Sequence, residues 1–116
     1  MEKPQTHMRK GRDGWTAKTE IPLEGITRED HTGTCPAILS INTSKASRGG
    51  LQTTVSVAFQ SGAFMSHRLY EDFSGRFAAE PTARCTEKAI ERMHDAALAK
   101  LDSIVDSARR HYGAAE

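Results

Sequence analysis

An α+β fold, an antiparallel β-meander of three to four strands packed against one long C-terminal α-helix, is what the sequence predicts, on three observations. Residues 15 to 23 alternate apolar and polar side chains; two β-prone runs, 37–44 and 51–59, flank a glycine-ended connector; and an amphipathic stripe extends from about Ala83 to Tyr112. The first two have the period of half-buried strands and the third that of a helix lying on a core.

Residues 1–13 are polar and basic, with Lys3, Arg9, Lys10 and Arg12, and follow neither period, so a mobile basic tail is expected ahead of a single α+β domain spanning 14–116. Trp15, Ala17, Thr19, Ile21 and Leu23 then alternate with Thr16, Lys18, Glu20 and Pro22. Pro22 donates no ladder hydrogen bond, so this strand ends there or lies at an edge. Residues 24–36, rich in glycine, threonine and charge, read as a surface loop. Ala37–Ser44 and Leu51–Phe59 follow as a hairpin about the connector Lys45-Ala46-Ser47-Arg48-Gly49-Gly50, with Leu51, Thr53, Val55, Val57 and Phe59 on one face. A second turn at Gln60-Ser61-Gly62 leads into a strand at Ala63–Tyr70.

After Tyr70 the spacing of Tyr70, Phe73 and Phe77 suggests one or two helical turns, ending before Pro81. The final stripe holds Ala89, Ile90, Met93, Ala97, Leu101, Ile104, Val105 and Ala108, with Arg109, Arg110 and His111 placed to complement the helix dipole. Some 27 helical residues would span about 40 Å, whereas a strand of eight residues spans about 27 Å. The helix should overhang the sheet, and a homodimer through the C-terminal helix is one way to cover it.

At 116 residues, 37% hydrophobic and 27% charged, the composition is that of a lean globular domain. The first residues lack the apolar run of a secretory signal and no stretch reaches membrane-spanning length, so a cytoplasmic protein with no membrane partner is expected. The net charge of +1 hides a mild asymmetry: residues 1–70 carry nine Lys/Arg against six Asp/Glu, and residues 71–116 carry seven against nine.

No phosphate loop, dinucleotide fingerprint, HExxH helix, nucleophile elbow or calcium loop is present. Cys35 and Cys85 lie fifty positions apart without CxxC spacing. His31 and Cys35 with Cys85 and His94 would make a metal set only if a loop folded over the start of the helix, and zinc sites normally announce themselves by close ligand pairs. Adjacent strand residues point to opposite faces, so Ser66 and His67 cannot act together. No cofactor, metal or catalytic residue is expected. The remaining feature is the 45–50 connector, where Lys45 and Arg48 would sit at a hairpin tip, Gly49 and Gly50 would let a phosphate approach, and Arg68 could project from a neighbouring strand. These three are the candidate partner-binding residues.

The runs Ile41-Asn42-Thr43-Ser44-Lys45, Gly49-Gly50-Leu51, Gly62-Ala63-Phe64 and Asp72-Phe73, with the alanine-rich terminal helix, resemble the small accessory proteins of proteobacterial temperate phages and other mobile elements. That class includes anti-CRISPR inhibitors of host defence complexes. The resemblance implies stoichiometric binding without turnover, to a protein complex first; the alternative is a small nucleic-acid-binding protein using the basic tail and the 45–50 hairpin.

Overall fold

Period-two alternation runs well past Leu23. In the structure, a computed structural model describing residues 5–30, 33–60 and 68–112 (28–30, 60 and 68–76 by their backbone path), the chain from Gly14 to Asp30 is one strand. It belongs to a five-stranded antiparallel meander of β1 (Thr6–Gly11), β2 (Gly14–Asp30), β3 (Gly33–Lys45), β4 (Leu51–Gln60) and β5 (Arg68–Glu80), in that spatial order. Two helices follow, α1 (Glu87–Leu98) and α2 (Leu101–His111). The α+β class and the meander are as expected; the strand number and the single long helix are not.

Much of the expected tail is strand β1, which pairs without interruption from Thr6↔Thr19 to Gly11↔Gly14. Its alternation, with Thr6 and Met8 half-buried against exposed His7 and Arg9, is too short and too charged to stand out in the sequence. Such charges suit an edge strand.

Residues 24–36, expected as a loop, continue β2 and open β3. Leu23 pairs with Ala37 and Thr27 with Pro36, so Glu24, Gly25 and Ile26 form a bulge within the ladder. Gly25 adopts φ +84°, a left-handed conformation natural to glycine, and the bulge returns Ile26 to the core at 5% exposure. Pro22, which has no N–H to donate, lies beyond the described pairing of β1, which stops at Thr19, and stands opposite Ile38 of β3.

The helical turns expected over Tyr70–Phe77 are part of β5. Its ladder with β4 shifts register three times, leaving Leu69, Asp72 and Phe77 as extra residues. Tyr70, Phe73, Gly75 and Ala78 therefore stand opposite the odd-numbered residues Phe59, Val57, Val55 and Thr53 of β4. Their mixed spacing of three and two imitates a helix in the bare sequence.

Thr86 caps α1, its hydroxyl accepting the Ala89 N–H at 3.2 Å, with Glu87 in the first turn. The expected single helix breaks at Ala99–Lys100, where the Lys100 N–H bonds the Ala97 carbonyl at 2.9 Å in a tightened turn. No glycine or proline marks the spot. The apolar stripe carries across the break, and Ile90, Met93, Ala97, Ile104 and Ala108 are all at most 7% exposed.

The overhang does not exist, because the strands are longer than the sequence suggests. β2 and β3 hold 17 and 13 residues and run within a molecule whose longest dimension is 43 Å. The helices hold 12 and 11 residues, about 18 and 17 Å. The expectation of a dimer through the helix therefore loses its premise.

Both helices lie on the sheet face presented by the odd-numbered residues of β3 and β4 and of β2 as far as Leu23, beyond which the bulge brings Ile26 to the same face. A large apolar cluster joins Leu23, Ile26, Cys35, Leu39, Ile41, Val57 and Phe59 to Ala97, Ile104 and Ala108. A smaller one joins Ala17 and Leu51 to Ile90 and Met93. The other sheet face is polar toward the β3–β4 loop, with Asn42, Ser44, Gln52, Thr54 and Ser56 half-buried and Lys18 3.5 Å from Glu20; farther along it Pro22, Ile38 and Ala58 stand in one cross-strand row, and Ser40 and Ala58 are buried.

Candidate functional site

Between the two clusters runs a polar band. Thr6 pairs with Thr19 and Thr43 with Thr53, and each member of the second pair lies two residues from an apolar neighbour on the same face. His94, from the sheet-facing side of α1, joins the two pairs. Its Nε2 lies 2.7 Å from the Thr19 hydroxyl and its Nδ1 2.8 Å from the Thr43 hydroxyl. Thr19 is 2.8 Å from Thr6, and Thr43 is 2.9 Å from Thr53. A hydroxyl both donates and accepts, so either imidazole tautomer is satisfied by rotating the threonine protons.

His94 is 1% exposed, and Thr19, Thr43 and Thr53 are fully buried. Burial lowers the His94 pKa below its ordinary 6.5, and the neighbouring Asp95 carboxylate only partly opposes this. The imidazole is thus neutral at pH 7 and both of its nitrogens are engaged. This arrangement clamps α1 across β2 and β3. The signal in the sequence was the threonine standing at an inward position of each of three strands, facing a histidine inside a helical apolar stripe.

The four residues weighed as a metal set are not brought together. Cys35 belongs to the large cluster, the Cys85 thiol donates to the Trp15 carbonyl at 3.3 Å, His94 is held by threonines, and His31 lies outside the described residues. Ser66 and His67 also lie outside them. Among the described residues no group of three potential metal ligands occurs.

The 45–50 connector is a hairpin loop, as expected. Its backbone closes on itself, with the Ala46 N–H bonding the Gly50 carbonyl at 2.9 Å and the Gly49 N–H bonding the Ala46 carbonyl at 3.1 Å. Gly49 and Gly50 have φ of +99° and +78°. Their role differs from the one expected: a side chain at Gly50 would strike the carbonyl oxygens of Glu80 and Pro81. Glycine here lets the end of β5 press against the loop. The Glu80 carboxylate in turn receives a two-pronged pair from Arg92, at 2.7 Å on each oxygen, which ties β5 to α1. Lys45 and Arg48 are exposed on this braced loop, and no described residue forms an ion pair with either.

Arg68 is not part of this surface. Lys45 pairs with Leu51 at one end of β4, whereas Arg68 pairs with Gln60 at the other. Nine residues of strand, about 30 Å, separate them. The sequence put Arg68 beside the hairpin because it read a strand over Ala63–Tyr70 returning toward the connector, whereas β5 runs from Arg68 to Glu80.

Comparison with protein-family models, with curated proteins and with solved structures finds no match.

Proposed function

We propose that this chain is a small non-enzymatic accessory protein that acts by stoichiometric binding to a macromolecular partner, with the β3–β4 hairpin as its contact. The observation that carries this reading is the braced tip. Lys45 and Arg48 are exposed cations without described ion-pair partners, on a loop whose backbone is closed by its own hydrogen bonds and backed by β5. A loop held rigid before binding loses little conformational freedom on binding, and arginine is a frequent interface anchor. The polar band speaks for the same reading, since His94 is enclosed and its nitrogens are both occupied, leaving it to hold structure rather than to meet a substrate. The resemblance to phage accessory proteins, anti-CRISPR inhibitors of host defence complexes among them, points the same way, as does the expected cytoplasmic setting.

The test is recovery of partners from the native host with the wild type and with a Lys45→Ala, Arg48→Ala double variant, followed by affinity measurement on the captured partner. The double variant should fold normally and bind several-fold more weakly. Equal affinity would reduce the hairpin to a connector.

A further inference from the structure

We propose that the turn end of the sheet is a binding site for the phosphate backbone of a double-helical nucleic acid, assembled from Lys10 and Arg12, Lys45 and Arg48, and Arg84 and Lys88. The proposal rests on the binding reading above and names the partner's class. Three segments far apart in sequence meet at this end. The β1–β2 turn is there because Gly11 pairs with Gly14, and Ala17, three residues on, pairs with Thr43 near the end of β3. The β3–β4 loop is there because Lys45 pairs with Leu51. The β5–α1 connector is there because Leu51 pairs with Glu80.

These segments touch. The Cys85 thiol bonds the Trp15 carbonyl, and a side chain at Gly14, where φ is +117°, would come within 2.8 Å of that thiol. Gly50 lies against Glu80 and Pro81. Arg12 and Arg48 are each two residues, and Arg84 one, from such a contact, within about 7 Å along the chain. All six cations are exposed.

Residues 10–15, 45–51 and 80–88 together carry six Lys/Arg against three Asp/Glu, in a chain that carries sixteen against fifteen. One of the three acids, Glu80, is already neutralised by Arg92. The excess of positive charge is therefore concentrated here, and the remainder of the chain is net acidic.

The lack of apolar anchors favours phosphate over protein. Protein interfaces have aromatic and apolar centres and are depleted in lysine, whereas phosphate contacts are made by Lys and Arg and need no such centre. Among the residues whose side chains are described, the one exposed large hydrophobic is Phe77, outside these segments. A single-strand binder would stack bases on exposed aromatics, and the aromatic of this end, Trp15, packs against the small apolar cluster. A duplex fits better. The β1–β2 and β3–β4 turns are two strand spacings apart, about 10 Å, comparable with the roughly 6 and 12 Å widths of the grooves of B-DNA. The two tips can thus meet phosphates on either side of a groove.

The test measures binding to mixed-sequence duplex DNA, duplex RNA and the matching single strands by fluorescence anisotropy, between about 50 and 200 mM salt. Wild type is compared with three paired variants: Lys10→Ala with Arg12→Ala, Lys45→Ala with Arg48→Ala, and Arg84→Ala with Lys88→Ala. Lys100→Ala with Arg110→Ala is the control, and thermal melts verify folding. For four to six contacts with duplex DNA the logarithmic salt slope should be about −4 to −5. Each paired variant should make it shallower by about two, and the control should not change it. Tighter binding of DNA or of RNA would name the source of the duplex, and either supports the site. Absence of duplex binding, or preference for single strands, overturns the proposal. Loss confined to the Lys45 and Arg48 pair overturns the three-segment site but leaves the hairpin reading standing. A captured protein whose binding depends on Lys45 and Arg48, with no duplex affinity, does the same.

Discussion

The two apolar clusters on either side of His94 are built differently. The large one buries twelve described residues drawn from three strands and both helices, and it is held by the burial of apolar surface. The small one buries four, Ala17, Leu51, Ile90 and Met93, and lies at the turn end where the cations gather. There the chain relies on particular contacts: Gly14 against Cys85, Gly50 against the Glu80 and Pro81 carbonyls, the Thr86 cap, and the Glu80–Arg92 pair. Close backbone approach and hydrogen bonds supply rigidity there instead.

This contrast can be broken most sharply in the large cluster. Leu39 is fully buried on the central strand, and Leu39→Ala should destabilise by about 2–5 kcal/mol in chemical denaturation. A loss below about 1 kcal/mol would mean that the cluster is loosely packed.

At the turn end the sensitive positions are glycines. Gly50→Ala puts a Cβ against backbone oxygens at φ +78°, and should destabilise by about 1–3 kcal/mol although only a methyl group is added at the surface. Gly49→Ala adds the same methyl at φ +99° with nothing within 4 Å, and should be the milder of the two. Equal effects would show that left-handed backbone, not the approach of β5, decides the cost.

The band between the clusters should reveal itself through pH. His94 has a folded pKa lowered by burial below its ordinary 6.5, so below pH 6.5 the unfolded chain binds a proton that the folded chain refuses. Stability contributed in this way is complete above pH 6.5 and falls as the pH drops toward the folded value, by up to about 1.4 kcal/mol per pH unit. Denaturation at a series of pH values should show that slope, and His94→Gln should flatten it. An unchanged slope in the variant would assign the acid sensitivity to other groups.

Where local pattern and tertiary pairing agree, the sequence reading comes close to the structure. Leu51–Phe59 was read almost to the residue, including its inward face, because β4 keeps strict alternation and is bounded by a glycine-ended loop and a turn. The misreadings share a cause. At Glu24–Ile26 and at Leu69, Asp72 and Phe77 the ladder admits extra residues, and each one shifts the phase of alternation. The strand then looks like a loop in one place and like a helix in the other. The helix break at Ala99–Lys100 has no composition signal, and β1 is recognisable only through its pairing with β2. Of the candidate site, Lys45 and Arg48 were legible as a charged loop tip. Lys10 and Arg12 were joined to the hairpin only in the nucleic-acid alternative, as part of a basic tail; Arg84 and Lys88 were not legible, because only the register of the finished sheet brings the β5–α1 connector to that end. His94 was hidden for a similar reason: its partners come from separate strands.

The smallest expected effect on stability falls on the residues expected to matter most for function. Lys45 and Arg48 are exposed, and replacing both with alanine should change folding stability by no more than about 0.5 kcal/mol per site. Measuring the melting temperature and the partner affinity of that double variant on one preparation is the most direct test of the whole account. It predicts a melt like that of the wild type with binding weakened several-fold; a wild-type melt with undiminished binding would contradict it.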